Sequence, residues 1–219
     1  MKSYILTFQF KNIEPVVWRK VIVPGGITFN RLHDVIQNVT NFKSGYPYEP
    51  MHLFEFQLDD VVVTNYVHRI DEAKSKSYKG IAVKQPTRIK IDTYMERIGE
   101  FLYVYDFGDD WRIHVKLEEV VEDYYFGFPT VLDGAGEAPP EDVGGPPGFV
   151  HFLEVYQNPS HPEHDYLCSW AAEQGFRLYN KAAMNQILKH HKHQKTEWDK
   201  VHHENYRVIS DKYIDTSKQ

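Results

Sequence analysis

The sequence predicts an α+β fold: an antiparallel-dominated sheet covered by helices, with a helical C-terminal third. Three observations predict it. Tyr4–Phe10 and Trp111–Leu117 alternate buried-type and wet-type residues with period two, as strands with one buried face do. After Thr28, apolar residues recur at helical spacing (Phe29, Leu32, Ile36, Val39). The last third carries three apolar-striped segments punctuated by Pro and Gly.

Taken in order, Tyr4–Phe10 sets Tyr4, Leu6, Phe8 and Phe10 against Ile5, Thr7 and Gln9, a first strand. Pro15–Val23 (PVVWRKVIV) reads as a second, ended by Pro24-Gly25-Gly26. Thr28 is a good N-cap for a helix to about Asn41. His33 lies beside its apolar stripe. A ligand is one reading; a hydrogen-bonded packing residue is the more ordinary one. Phe42–Pro50 is a Gly/Pro/Tyr loop, and Met51–Leu58 with Val61–Thr64 makes a hairpin through Asp59-Asp60. Asn65–Pro86 shows little pattern, and its Lys74, Lys76 and Lys79 read as a mobile basic loop. Thr87–Ile98 gives a short strand and then a helical turn or two.

Phe101–Glu118 carries the densest signal. Phe101–Tyr105 is an unbroken apolar run, a strand covered on both faces. Asp106-Phe107-Gly108-Asp109-Asp110 is turn chemistry. From Trp111 the chain alternates, with Ile113, Val115 and Leu117 against Arg112, His114 and Lys116. Tyr124–Gly148 is a long Gly/Pro loop, of the kind that is functional or structurally committed. Three helices close the chain. The first has Pro147 near its start and stops at Asn158-Pro159. The second begins at Ser160, with Glu163 three residues on as in a capping box, and stops at Gly175. The third starts near Asn180. Residues 1–205 form a single domain, helical from about 147, and 206–219 a tail.

Composition excludes several functions. The chain has 219 residues, enough for a substantial core, and with 42% apolar and 15% aromatic residues it is globular. No apolar run approaches the roughly 20 residues a membrane span needs, and the start does not read as a signal peptide. One cysteine, Cys168, forbids an internal disulfide and fits a reducing cytoplasm. A net charge of −6 argues against non-specific nucleic-acid binding. There is no phosphate loop, dinucleotide fingerprint, H-E-x-x-H or G-x-S-x-G. Asp106-Phe107-Gly108 spells the kinase D-F-G without its companions.

What remains is an acidic set: Asp106, Asp109 and Asp110 in the hairpin turn, Glu141 and Asp142 in the long loop. Converging hard oxygens suit Mg²⁺ or Mn²⁺; turn capping and backbone satisfaction are the ordinary reading. The late histidines (His161, His164, His190, His191, His193, His202, His203) lack the four-ligand spacing of structural zinc. Lys189, Lys192 and Lys195 make the one candidate nucleic-acid face.

The motifs PVVWRKVIVP, T-F-x-x-L-H at Thr28–His33, HLFEF at His52–Phe56, YDFGDDW at Tyr105–Trp111 and PPEDVGGPPGF at Pro139–Phe149 follow in order. Together they resemble the plasmid pRiA4b ORF-3-like family, also found as insertion-sequence passenger proteins. The resemblance implies an α+β domain linked to plasmids or mobile elements and supplies no activity. Family members commonly carry cysteines where this chain has Val131 and Ala138, and a histidine where it has Ile113. A zinc or thiol site would lack those ligands here. The retained acids, with His33, His52 and His151, are what an oxygen-rich site would use. Trp18, Arg19 and Trp111 complete the candidate pocket residues.

The leading expectation is a cytoplasmic, non-catalytic binding or accessory protein with no cofactor and a macromolecular partner; a homodimer is compatible with the aromatic content. The alternatives are a Mg²⁺- or Mn²⁺-dependent hydrolase and a nucleic-acid binder.

Overall fold

The computed structural model describes residues 1–191 apart from 46, 50 and 76–78. In chain order its elements are β1 (Ser3–Phe10), β2 (Trp18–Pro24), α1 (Phe29–Asn38), β3 (Phe54–Gln57), β4 (Val61–Thr64), α2 (Val67–Ala73), β5 (Ala82–Lys84), α3 (Asp92–Ile98), β6 (Glu100–Tyr105), β7 (Trp111–Val121), β8 (Thr130–Ala135), α4 (Gly145–Tyr156), α5 (His164–Glu173) and α6 (Lys181–Leu188). The strands form one sheet in the order β5-β4-β3-β6-β7-β1-β2-β8. Every pairing is antiparallel except β4 with β5.

Strand alternation decides what each face buries. Tyr4, Leu6, Phe8 and Phe10 of β1 join the main core together with Phe29, Leu32, Ile36 and Val39 of the α1 region. Ile5 and Ile22 point the other way. They pack with Val121, Tyr124, Phe126, Phe128 and Leu132, where the chain after β7 folds across the opposite face. The Tyr124 hydroxyl secures that crossing, 2.7 Å from Phe128 O and 2.9 Å from Thr130 Oγ1. Thr28 caps α1 by accepting from Arg31 N. The helix ends at Asn38, short of Asn41. The Asn41 side chain donates instead to the carbonyls of Ala138 and Arg177.

Several local expectations are corrected. β2 starts at Trp18 rather than Pro15, and β3 at Phe54 rather than Met51. The stretch 65–86 is no featureless basic loop: it holds α2 and β5, the latter paired with β4. Lys76 lies outside the described residues. The Gly/Pro stretch 124–148 contains β8, an edge strand on β2. The helix expected from Ser160 begins at His164 and has no side-chain cap. In the turn before it, Glu163 N donates to His161 Nδ1 and Ser160 N to Asn158 Oδ1. Among the described residues no helix is long and apolar enough to cross a membrane.

Candidate metal centre

Three separate segments meet at the C-terminal end of β6. The first is the loop 44–52. Ser44 Oγ accepts from the backbone amides of Met51 (2.9 Å) and His52 (3.0 Å), and Ser44 N donates to Gln37 Oε1. These bonds fix His52 two residues before β3. Its ring stands edge-on to Tyr105, with centroids 5.7 Å apart. The second segment is the hairpin turn. Asp106 sits at φ 52°, donates its amide to Leu53 O and accepts from Gly108 N through Oδ1. Its Oδ2 lies 3.6 Å from His52 Nδ1. The third is the Gly/Pro loop, where Asp142, at φ 55°, places Oδ1 3.6 Å from His52 Nε2. Glu141 places Oε2 3.8 Å from the same nitrogen.

Those separations exceed a hydrogen bond. Around Nε2, the Asp142 and Glu141 oxygens approach the spacing of ligand atoms that share one first-row cation, about 3–3.5 Å apart for bonds of roughly 2.1 Å, whereas Asp106 lies nearest the other ring nitrogen. His52, Asp106 and Asp142 each offer a ligand atom within 4.8 Å of the others, the only such His/Cys/Asp/Glu group among the described residues. His52 Nε2 is buried and makes no hydrogen bond. Leaving a buried ring nitrogen unpartnered costs about 1–3 kcal/mol, and gathering three carboxylates costs further repulsion. A cation would relieve both.

Glu141 is the buried acid of the group, its side chain 2% exposed. Burial holds its carboxyl above the usual carboxylate range, only partly offset by the Tyr105 hydroxyl and the Lys43 amide. Both donors serve Oε1. The Tyr105 oxygen is also 2.7 Å from Ser44 Oγ. Two amides already occupy the serine's acceptor positions, so its proton faces Tyr105, and Tyr105's own proton faces Glu141. Oε2 is thereby left facing His52.

The other expected residues are dispersed. Asp109 Oδ2 is buried without a partner, outside the convergent group. Asp110 pairs with Arg112 at 2.9 Å in solvent. The six candidate pocket residues do not form one pocket. His33 lines one cavity and His151 another. Trp111 is enclosed in the core against Phe10, Phe42 and Phe149. Trp18 is half-buried on β2. Arg19, 1% exposed, donates to the carbonyls of Trp18, Val39, Ala135 and Gly136, and its guanidinium stacks 4.3 Å from the Tyr179 ring. It ties β2, β8 and the end of α1 together. Val131, Ala138 and Ile113, where relatives were expected to carry sulfur or imidazole, are packed into the main core. Lys189 follows α6, while Lys192 and Lys195 lie outside the described residues, as does the expected tail 206–219. Ser44 and Lys43 were not anticipated at all; they act through a hydroxyl and a backbone amide, which no side-chain pattern marks.

The sequence matches the family described as Plasmid pRiA4b ORF-3-like protein over residues 2–187. Uncharacterized protein y4hQ of Sinorhizobium fredii (strain NBRC 101917 / NGR234) is 31% identical over 182 residues, 82% of this chain and 84% of that protein. The crystal structure of the protein of unknown function MM3350 from Methanosarcina mazei Go1 matches with TM-score 0.65 and 28% identity, over 83% of this chain and 97% of that one.

Proposed function

The chain belongs to the plasmid pRiA4b ORF-3-like family, and since neither the family description nor its relatives' names state an activity, we propose from the site itself that it is a divalent-cation-dependent hydrolase. His52, Asp106 and Asp142 would hold the ion. The imidazole moves the preference from Mg²⁺ toward Mn²⁺ or Zn²⁺, since Mg²⁺ favours all-oxygen sites. An ion there would acidify a bound water and polarise a carbonyl or phosphoryl oxygen. Glu141, whose buried carboxyl has raised proton affinity, accepts the proton at Oε2. Tyr105 and Ser44 hold its other oxygen. The observation that carries this reading is the unpartnered His52 Nε2 facing carboxylates from another segment. The single cysteine and the absence of a spanning helix among the described residues support a cytoplasmic setting.

The test is a thermal-shift titration with Mg²⁺, Ca²⁺, Mn²⁺ and Zn²⁺. An ion at a hundred times its dissociation constant adds about 2.7 kcal/mol of apparent stability. Mn²⁺ or Zn²⁺ should raise the melting temperature. Asp142→Asn should abolish that rise without unfolding the protein, because Asp142 is exposed and Asn tolerates its positive φ. A positive result leads to ester and phosphoester screens. No response to any ion would return the protein to the non-catalytic binding reading.

A further inference from the structure

We propose that the groove between α4 and α5 is the substrate pocket of this site, and that it takes an aryl group whose short anionic head reaches the cation. The anionic half of this proposal rests on the cation reading above; the aryl half stands on the groove alone.

The groove has a volume of about 190 Å³, and Asp142, His151, Phe152, Tyr166, Leu167 and Trp170 are among the residues that line it. Asp142 belongs to both places. Its Oδ1 faces His52, and the residue also lines the groove. A guest in the groove that touches Asp142 therefore touches a residue that faces the cation position. The walls are aromatic and held from behind. Phe152, 1% exposed, stacks on Phe149 and meets Trp170 edge-on at 5.9 Å. Phe176 closes on its far side at 5.0 Å. Tyr166, 71% exposed, stands at the mouth. An exposed tyrosine and a half-buried tryptophan around a concavity are poor solvent-facing surface and good walls for a planar guest, which gains edge and face contacts.

Size limits the guest. An apolar cavity of about 150 Å³ holds one benzene, so this groove has room for one ring with a short substituent or a small fused bicycle. Charge sets the head group. Without the ion, Asp142, Asp106 and Glu141 repel an anion; with it, the same place attracts one. The binding of an aryl acid should therefore be coupled to the ion, and that of a neutral arene should not.

The experiment is calorimetric titration of the full chain with indole and with phenylacetate, each with and without saturating Mn²⁺. Indole should bind in both conditions. Phenylacetate should bind at least tenfold more tightly with Mn²⁺, and Asp142→Asn should remove that gain. Leu167→Trp fills the groove and should weaken both ligands at least tenfold, with a cooperative thermal unfolding transition as evidence of folding. Tyr166→Ala, a change at the exposed mouth, should weaken both several-fold. Indole that fails to bind, or that ignores Leu167→Trp and Tyr166→Ala, overturns the aryl pocket whatever Mn²⁺ does. Phenylacetate indifferent to bound Mn²⁺ overturns the anionic head. Leu167-dependent indole binding in a protein that shows no Mn²⁺ shift supports the aryl pocket and overturns the cation reading.

Discussion

His33 is enclosed, with the Tyr103 hydroxyl 2.7 Å from Nδ1 and the Ser44 carbonyl 2.9 Å from Nε2. A carbonyl only accepts, so Nε2 carries the proton and Nδ1 accepts from Tyr103. Burial pulls the ring's pKa from 6.5 to about 4. The unfolded chain therefore binds a proton between those values that the native protein refuses, and stability falls as pH drops through that window. At pH 5 this residue should remove about 2 kcal/mol relative to pH 7. Glu141 acts in the opposite sense. Its raised pKa adds stability at low pH, lost as pH rises through its folded value. His191, also pulled to about 4 by burial, adds to the acid loss. The wild-type profile is thus a sum, and His33→Gln isolates one contribution. Urea unfolding at pH 5 and pH 7 should show a smaller difference in the variant, and an unchanged difference would refute the assignment. His33 could be read as a packing residue from the sequence because it sits beside the helix stripe. His52 could only be named alongside five other residues, because the acids around it come from chain positions more than fifty residues away.

At the scale of elements, the edge of the sheet is instructive. β8 is bordered on its free side by α6. There Asn185 accepts from Val131 N at 2.7 Å and donates to Val131 O at 3.0 Å. One buried side-chain amide thus replaces a strand partner, closing an edge that would otherwise invite association. Asn185→Ala leaves both backbone groups buried and unpaired. It should lower unfolding free energy by about 2–4 kcal/mol, and hydrogen exchange at the Val131 amide should quicken. A loss below about 0.5 kcal/mol would mean that water replaces the side chain. β8 was hidden in the sequence because Asp133 and Gly134 break its pattern and only Thr130, Val131 and Leu132 are buried. β5 was hidden because three half-exposed residues cannot display a period. The central hairpin was legible because β6 is an unbroken apolar run from Phe101 to Tyr105, β7 alternates over a long span, and a short acidic turn joins them.

For the whole molecule, the site depends on α4 docking against the hairpin turn. Gly145, at φ 67°, approaches so closely that a Cβ would lie 2.8 Å from Asp109 O. Gly148 is tighter, with a Cβ position 2.0 Å from Val143 O. Gly145→Ala should cost about 2 kcal/mol from the positive φ and the collision. It should also weaken the Mn²⁺ response, because the loop carrying Glu141 and Asp142 runs directly into that helix. Denaturant unfolding beside a Mn²⁺ thermal-shift titration checks both. A stability loss with an unaltered Mn²⁺ response would show that helix docking does not place Asp142. By itself the sequence determined the α+β class, the β1 and β7 alternation, the Thr28 cap, the hairpin and the acids available to a site, because each is written in residues close along the chain. The tertiary structure alone decided that Asp106, Glu141 and Asp142 meet around His52 while Asp109 and Asp110 stay outside the group, and that Phe152, Tyr166 and Trp170 wall a groove. Those outcomes depend on sheet order and helix docking, which bring together residues that no local spacing connects.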